Sequence, residues 1–397
     1  MIESRPKIIE LTEYTPIRFP PGDISPEIGE MLWRNYGAQV AVDFPSPITD
    51  GQWQLTSQGW VGYIPLTPEL GISLQPKVEL KNLFGMLEYA YRLKIRFLEG
   101  LWESNSLEEF YERLANILAR RVLDRGRKGF YRAYIPRNEK SGFIRGRMDL
   151  PAAVRRPWDP RIRCHYEEHT PDIPENQILA WTLSRIARSG ACTERVQPTI
   201  RRAYRALQGS VTMAPCGPDD CIGRRYHRLN DDYQPLHALC RFFLGQSGPT
   251  HVMGDRKMLP FLIDMARLYE IFVAEWLKVH LPYPFQLKSQ ERVVIGPNQE
   301  VRFDIDLVLY DVETGRASLV LDTKYKKSLT PAPEDIAQVV AYADAKNCHD
   351  AILIYPTPLT VPLDVRVGDN RVRSLSFSID DNLDEAGNKF KENLLKS

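Results

Sequence analysis

The stretch LVLDTKYKK, Leu319 to Lys327, starts as a core strand and ends in charge. Leu319, Val320 and Leu321 suit a buried sheet, yet Asp322 and Lys324 follow at once and, by strand alternation, share one face. Burying such charges is costly unless they are paired or hold a metal. The strand before it, VRFDIDLVLYD (Val301–Asp311), carries Asp304 and Asp306 two residues apart and hence also on a common face. The intervening DVETGR reads as a turn. Pairing of the two strands then brings an aspartate of the first toward Asp322 and Lys324.

Working outward, the residues after about 257 alternate helix and strand. The spacing predicts a long amphipathic helix over Leu259–Leu281, strands at ERVVI, VRFDIDLVLYD and ASLVLDTKY, and a helix over TPAPEDIAQVVAYADAKN whose start is marked by Pro331 and Pro333. A further apolar strand follows at DAILIYP, and another at VRSLSFSI. This order is that of an α/β module, expected over 257–397. The polar, Gly-rich QSGPTHVMGDRK, Gln246 to Lys257, is the expected domain boundary.

The first eighty residues read as a β-rich region: QVAVDFP, WQLTSQGWVGYIPL and GISLQPKV are short β-branched and aromatic runs broken by Pro and Gly. The middle, 81–250, reads as helical. Helices are expected at Asn82–Leu93 with Asn82 as N-cap, at SLEEFYERLANILARRVLDRG with Ser106 as cap and Gly126 as stop, at DIPENQILAWTLSRIAR, and at YQPLHALCRFFLG. Between them, GFYRAYIPRNEKSGFIRGRMDL has two β-prone runs flanking RNEKSG, the pattern of a hairpin or arm. The fold class expected is thus a multidomain α+β and α/β chain: β-rich N-terminal region, helical middle with a basic arm, and C-terminal α/β domain.

Composition narrows the setting. At 397 residues the chain can hold two or three cores. No apolar run approaches the ~18 residues of a membrane span, and the charged start MIESRPKIIELTEY lacks a secretory apolar stretch; a cytoplasmic protein without a membrane partner is expected. Six cysteines, at 164, 192, 216, 221, 240 and 348, form no CxxC and imply neither a disulfide framework nor a zinc site. The net charge of +1 hides a basic segment: residues 113–163 hold fifteen Lys or Arg against four Asp or Glu. A polyanion or an acidic protein surface fits this arm equally. Arg120, Arg121, Arg125, Arg127, Lys128, Arg132, Arg145 and Arg147 are its candidate contacts with DNA or a partner.

Two carboxylates and an ammonium at the end of a strand pair suit phosphodiester hydrolysis. Oxygen ligands from Asp304, Asp322 and the Thr323 carbonyl favour Mg²⁺, which activates water and neutralises phosphoryl charge, while Lys324 orients water or stabilises the transition state. Gln338 and Tyr342, four apart on one helical face, can reach Lys324. Glu270, on the predicted helix 259–281, is a further acid for the metal. The alternatives are a surface ion pair at Lys324, worth little energetically, a core Tyr342 with a solvent-facing Gln338, and a surface Glu270.

Taken together, these residues resemble the PD-(D/E)xK nuclease superfamily. Much of the chain is similar to the McrC family of nuclease subunits of McrBC modification-dependent restriction systems: ISLQPKV, NLFGMLEYAYRL, GFIRGRMDL, CHYEEHTPDIPENQILAWTL, RLNDDYQPLHALCRFFL, FLIDMARLYEIFVAEWL, VRFDIDLVL, LVLDTKYKK and IAQVVAYA carry the likeness. Asp304 matches the aspartate of the family's Arg-x-Asp-Ile segment, with Phe303 where relatives often have Pro, which leaves Asp306 as the alternative ligand. Asp322 and Lys324 match the D-x-K pair, and Gln338 and Tyr342 the Q-x-x-x-Y. The resemblance implies a PD-(D/E)xK-type C-terminal domain, Mg²⁺ (Mn²⁺ as the alternative), cleavage of modified double-stranded DNA such as DNA bearing 5-methylcytosine in antiviral defence, and a GTP-hydrolysing McrB-like AAA+ hexamer as partner. The chain has no GxxxxGK[ST], so it is expected to bind no nucleotide itself. The basic arm is then the candidate for a stalk inserted in the partner ring. The alternatives are an adaptor that activates the partner GTPase without cutting, and a nuclease of another defence or repair system.

Overall fold

The computed structural model describes residues 7–67, 70–93, 106–156, 158–189, 192–246, 251–253, 256–258, 260–295, 301–326, 330–380 and 382–396. Lys327 of the opening motif lies outside them, as do residues 247–250 and 254–255 of the expected boundary. The chain is a mixed α/β protein of several sheets. It divides into two compact units: Met1–Glu109 with Gly248–Ser397, and Phe110–Ser247.

The first unit opens with β1 (Lys7–Thr12), β2 (Ile17–Phe19), α1 (Pro26–Tyr36), β3 (Val40–Asp43), β4 (Trp53–Ser57), β5 (Trp60–Thr67), β6 (Leu70–Gln75) and α2 (Leu80–Tyr91). The β-branched and aromatic runs do form strands. Strands β2, β4 and β3 make a small antiparallel sheet, and Leu32, Tyr36, Trp53 and Leu55 bury together with Ile64, Ile72 and Leu74. Asn82 is not the cap of α2. It lies inside the helix, buried, and donates through Nδ2 to the Ile379 carbonyl at 2.8 Å.

The second unit takes up most of α3 (Leu107–Lys128), followed by β7 (Ala133–Ser141), β8 (Arg147–Met148), α4 (Leu150–Arg155), β9 (Ile162–Thr170), α5 (Pro174–Arg188), α6 (Gln197–Gln208) and α7 (Tyr233–Gly245). Ser106 Oγ caps α3, accepting from Glu109 N at 3.2 Å. Gly126 does not stop α3, which runs two residues further. The basic arm is not a hairpin turning at RNEKSG. Strand β7 passes through that segment and pairs antiparallel with β9, from Ala133↔Thr170 to Ser141↔Ile162, with β8 on the other edge of β9. The IRCHYE that begins β9 alternates apolar and polar residues, the period-two pattern of a half-buried strand.

The chain returns to the first unit with β10 (His251–Met253), β11 (Arg256–Met258), β12 (Phe261–Asp264), α8 (Met265–His280), β13 (Phe285–Ile295), β14 (Val301–Asp311), β15 (Ala317–Thr323), α9 (Pro333–Ala345), β16 (Asp350–Tyr355), β17 (Asp364–Val367), β18 (Asn370–Ser376) and α10 (Leu383–Leu395). The helix expected from Leu259 starts only at Met265, because Phe261–Asp264 pairs antiparallel with β5 and extends the sheet β1-β6-β5-β12. Asp264 then caps α8, accepting from Arg267 N at 3.1 Å.

A six-stranded sheet, β13-β14-β15-β16-β18-β17, carries the site. Its first three strands are antiparallel, whereas β15, β16 and β18 run parallel, with α9 connecting β15 to β16. Val339, Tyr342 and Ala343 of α9 bury with Val308, Val320, Ala351 and Leu353 of the sheet; each such side chain removed from water stabilises the fold by about 1–3 kcal/mol. The helix therefore fixes where Gln338 and Tyr342 stand.

The β5–β12 junction depends on Gly62. It has φ +136°, and a Cβ there meets the Phe261 carbonyl oxygen at 2.1 Å. Gly62→Ala is expected to cost about 2–4 kcal/mol in urea unfolding. Gly22→Ala, where nothing stands within 4 Å, is expected to cost under about 0.5 kcal/mol. Equal midpoints for the two variants would contradict this account of the junction.

Candidate functional site

Strand pairing decides which aspartate meets Asp322. Leu307 pairs with Leu321, so the next step along both strands sets Asp306 across from Asp322. The Asp306 carboxylate accepts from the Thr323 backbone N–H at 3.1 Å and from Thr323 Oγ1 at 3.0 Å. Asp322 is 2% exposed, packed at the end of a strand whose preceding three residues are core.

Lys324 answers the charge. Its Nζ lies 2.8 Å from Asp322 Oδ2 and 3.7 Å from Asp335 Oδ1, and donates to Gln338 Oε1 at 2.8 Å. Gln338 Nε2 in turn donates to Tyr342 OH at 2.6 Å. Tyr342 packs edge-on against Phe303, ring centroids 5.4 Å apart, so the aromatic residue before Asp304 braces the helix that aims Gln338. Both alternatives for these residues hold: Tyr342 is core and Gln338 is exposed to solvent, and from there Gln338 also reaches the lysine. Asp335, in the first turn of α9, is buried and also pairs with Lys326 at 2.5 Å.

Glu270 approaches from α8. It pairs with Arg267 at 3.3 Å and accepts a short hydrogen bond from Gln290 Nε2. Gln290 interrupts β13 between Ser289 and Glu291, the residues facing Leu307 and Ile305, and has φ +54°. This kink turns its amide toward Glu270. Nothing in the sequence marks it, because a left-handed glutamine within a strand has no composition signal.

The electrostatics follow from crowding. Burial, then the neighbouring Asp306, pushes the Glu270 carboxyl up to about 7. Burial and Asp306 likewise raise Asp322 to about 6, against the opposing pull of Lys324. Burial alone lowers the Lys324 pKa, but Asp322 and Asp335 more than offset it, so its proton is held more firmly than in water. At Asp322 and Glu270, burial and the neighbouring Asp306 carboxylate outweigh the opposing pull of Lys324 and Arg267.

Asp304 stands apart from this corner. It is about half exposed, and its carboxylate lies 3.0 Å from Arg292 Nε and 3.0 Å from Arg302 Nη2. These guanidiniums hold its pKa below the usual carboxylate range. Of the expected ligands, then, Asp322 and Glu270 approach Asp306, while Asp304 is engaged by arginines.

As the side chains stand, no group of three His, Cys, Asp or Glu among the described residues is arranged to hold a metal ion. The donor chemistry nonetheless fits a hard cation: carboxylate oxygens of Asp306, Asp322 and Glu270, and a buried Asp322 Oδ2 with no aligned hydrogen bond.

The eight basic candidates of 113–163 all lie in the second unit's chain range or its β7–β9–β8 sheet. Arg125 is engaged internally, 3.3 Å from Asp232 and donating to the Leu229 carbonyl at 3.2 Å. Arg145 covers the Tyr166 ring at 4.4 Å, and Arg127 pairs with Asp124. Arg120, Lys128, Arg132 and Arg147 are exposed and Arg121 half-buried. The cysteines are all free, and no helix among the described residues is long and apolar enough to cross a membrane.

Comparison with known proteins places these observations. A family model described as "McrBC 5-methylcytosine restriction system component" matches residues 55–356. The type IV methyl-directed restriction enzyme EcoKMcrBC of Escherichia coli (strain K12) is 22% identical over 275 residues, covering 64% of this chain and 75% of that protein. Among solved structures, a chain of the half-complex from the tetradecameric assembly of Thermococcus gammatolerans McrB AAA+ hexamers with bound McrC aligns with a TM-score of 0.53 and 16% identity, covering 98% of this chain and 99% of that one. At that identity the likeness is one of fold.

The raised carboxyls make a stability prediction. A group whose folded pKa is raised contributes stability that is complete below its unfolded value, near 4, and is lost as pH rises through about 6 for Asp322 and 7 for Glu270. In EDTA at pH 8, Asp322→Asn is therefore expected to be more stable than wild type, by about 1–3 kcal/mol, and to lose that advantage at pH 4 in thermal melts. A variant less stable than wild type at pH 8 would show that Lys324 compensates Asp322 fully.

Proposed function

The chain belongs to the family of McrBC 5-methylcytosine restriction system components, and from that premise we propose that it is the DNA-cutting subunit of such a system. The C-terminal sheet with α8 and α9 is read as a PD-(D/E)xK-type nuclease domain. What supports this is the corner where Asp306 and Asp322 meet and Lys324 is held by Gln338 and Tyr342. A strand-end ion pair serving stability alone has no need of a lysine aimed by a glutamine that is itself held by a tyrosine.

Asp306, Asp322 and Glu270, with the Thr323 carbonyl, are the residues that would hold Mg²⁺ or Mn²⁺. Such an ion, when bound, lowers the pKa of its water and neutralises phosphoryl charge. The chain's own groups do the rest. Lys324, held protonated by Asp322 and Asp335, presents its ammonium to a non-bridging phosphate oxygen as negative charge builds there. Gln338 and Tyr342 keep that ammonium from swinging away, which preserves its geometry at no cost during the reaction. Water attacks the phosphorus in line, and the bond to the 3′ oxygen breaks, leaving a 5′ phosphate and a 3′ hydroxyl.

The partner reading extends the archaeal neighbour, an McrC bound to McrB AAA+ hexamers, to this chain: an McrB-like GTPase ring whose activity the chain stimulates, on modified double-stranded DNA. The sheet β7–β9–β8 is read as the contact with the ring. In the connections between its strands Phe143, Ile144 and Trp158 are 66%, 60% and 76% exposed, the first two adjoining Arg145 and Arg147 in sequence, a mixture that fits a protein surface better than phosphates alone.

The test uses the chain with an McrB-like partner, GTP and Mg²⁺ on methylated and unmethylated DNA. Cutting is expected only with the partner and GTP, and is expected to fall at least about a hundredfold in Asp322→Ala while partner GTPase stimulation persists. Stimulation without cutting by the wild-type chain would instead make the protein an adaptor. Undiminished cutting by Asp322→Ala would put the chemistry elsewhere.

A further inference from the structure

Arg292, Asp304 and Arg302 form a second charged cluster on the strands that carry the acidic corner. Arg292 and Asp304 are direct cross-strand partners on β13 and β14, and Arg302 is two residues from Asp304 on the same strand. Arg292 donates from Nε to Asp304 Oδ1 at 3.0 Å, and Arg302 donates from Nη2 to Oδ2 at 3.0 Å and to Oδ1 at 3.3 Å. The side chains are 60%, 51% and 48% exposed for Arg292, Arg302 and Asp304. Exposed ion pairs of this kind contribute little to stability, so the cluster has no evident structural task.

We propose that this cluster is a phosphate subsite for the DNA strand being cut, with Asp304 occupying the place of a backbone phosphate until DNA displaces it. Two guanidiniums converging on one carboxylate make the arrangement that also receives a phosphate, since both anions offer paired oxygens to the planar fork. Location supplies the function. Asp304 is two residues before Asp306, a rise of about 6.7 Å along the strand, close to the step between neighbouring phosphates of one DNA strand. A phosphate held by Arg292 and Arg302 therefore sets its neighbour at Asp306, Asp322 and Lys324. Asp304 lowers the affinity of the pair for anions in general, so only a polyanion that gains at several positions at once displaces it.

The subsite rests on the nuclease reading for its purpose, but its binding can be measured without cutting. The probe is a fluorescein-labelled 30-base-pair duplex in EDTA, titrated with the full chain over a range of KCl concentrations. Arg292→Gln/Arg302→Gln is expected to bind about tenfold more weakly at low salt, with a slope of log K against log salt shallower by about 0.9, one phosphate contact. Asp304→Asn is expected to bind more tightly than wild type. With Mg²⁺ and partner, the double variant is expected to show a raised KM with kcat nearly kept, and Asp304→Asn is expected still to cut.

Unchanged affinity and slope in the double variant, or no binding by the wild type even at low salt, would overturn the subsite. So would loss of cutting in Asp304→Asn with unchanged DNA binding, which would make Asp304 a ligand of the reaction centre. Binding that behaves as stated in a chain that never cuts would keep the subsite and refute the nuclease reading instead, so the two fail separately.

Discussion

The antiparallel pairing of β14 with β15 sets Asp306 across from Asp322 at the end of a buried strand, and the surrounding side chains are arranged around the cost of that meeting. Burial and the facing Asp306 carboxylate make the charged form of Asp322 costly. The fold supplies Lys324 beside Asp322 and hydrogen bonds from Thr323 to Asp306. It then adds Glu270, whose carboxyl is raised by burial and by Asp306 even though Arg267 pairs with it. A protein selected only for stability would replace such a cluster with apolar side chains at little loss or some gain. Its presence is what the proposed divalent-cation site accounts for.

Each neighbouring element has a part in that arrangement. The core contact of α9 with the sheet fixes Tyr342, which fixes Gln338, which holds Lys324. The strand β12, pairing with β5, ends at the Asp264 cap and so determines where α8 starts and where Glu270 stands. The kink at Gln290 brings a side-chain amide to Glu270 where regular alternation would have carried the strand past it.

In the C-terminal sheet, β15 and β16 are legible because they are short continuous apolar runs, and α9 because proline marks its start. Asp322, Lys324, Gln338 and Tyr342 were legible for the same reason: alternation and the four-residue helical spacing each place two groups on one face. Asp304 and Asp306 could not be separated in this way, since alternation puts both on the same face. The choice depends on cross-strand partners, and the arginines that engage Asp304 are ordinary charged residues in the sequence. Phe261–Asp264 reads as helix from its sequence because three apolar residues, Phe261, Leu262 and Ile263, have no period of their own, and pairing with β5 decides it. RNEKSG is turn-like in composition, which is why a hairpin stands beside an arm as an expectation, whereas the partner strand β9 lies twenty residues further on. In each case a long-range pairing overrode a local preference.

Asp306 and Asp322, rather than Asp304, are proposed here to form one divalent-cation site. Mn²⁺ titration followed by electron paramagnetic resonance, on the chain without DNA at pH 7.5, measures bound ions per chain directly. The account predicts a tight Mn²⁺ site in the wild type that is lost in Asp306→Asn and kept in Asp304→Asn. Loss in Asp304→Asn with retention in Asp306→Asn would contradict it and return Asp304 to the metal.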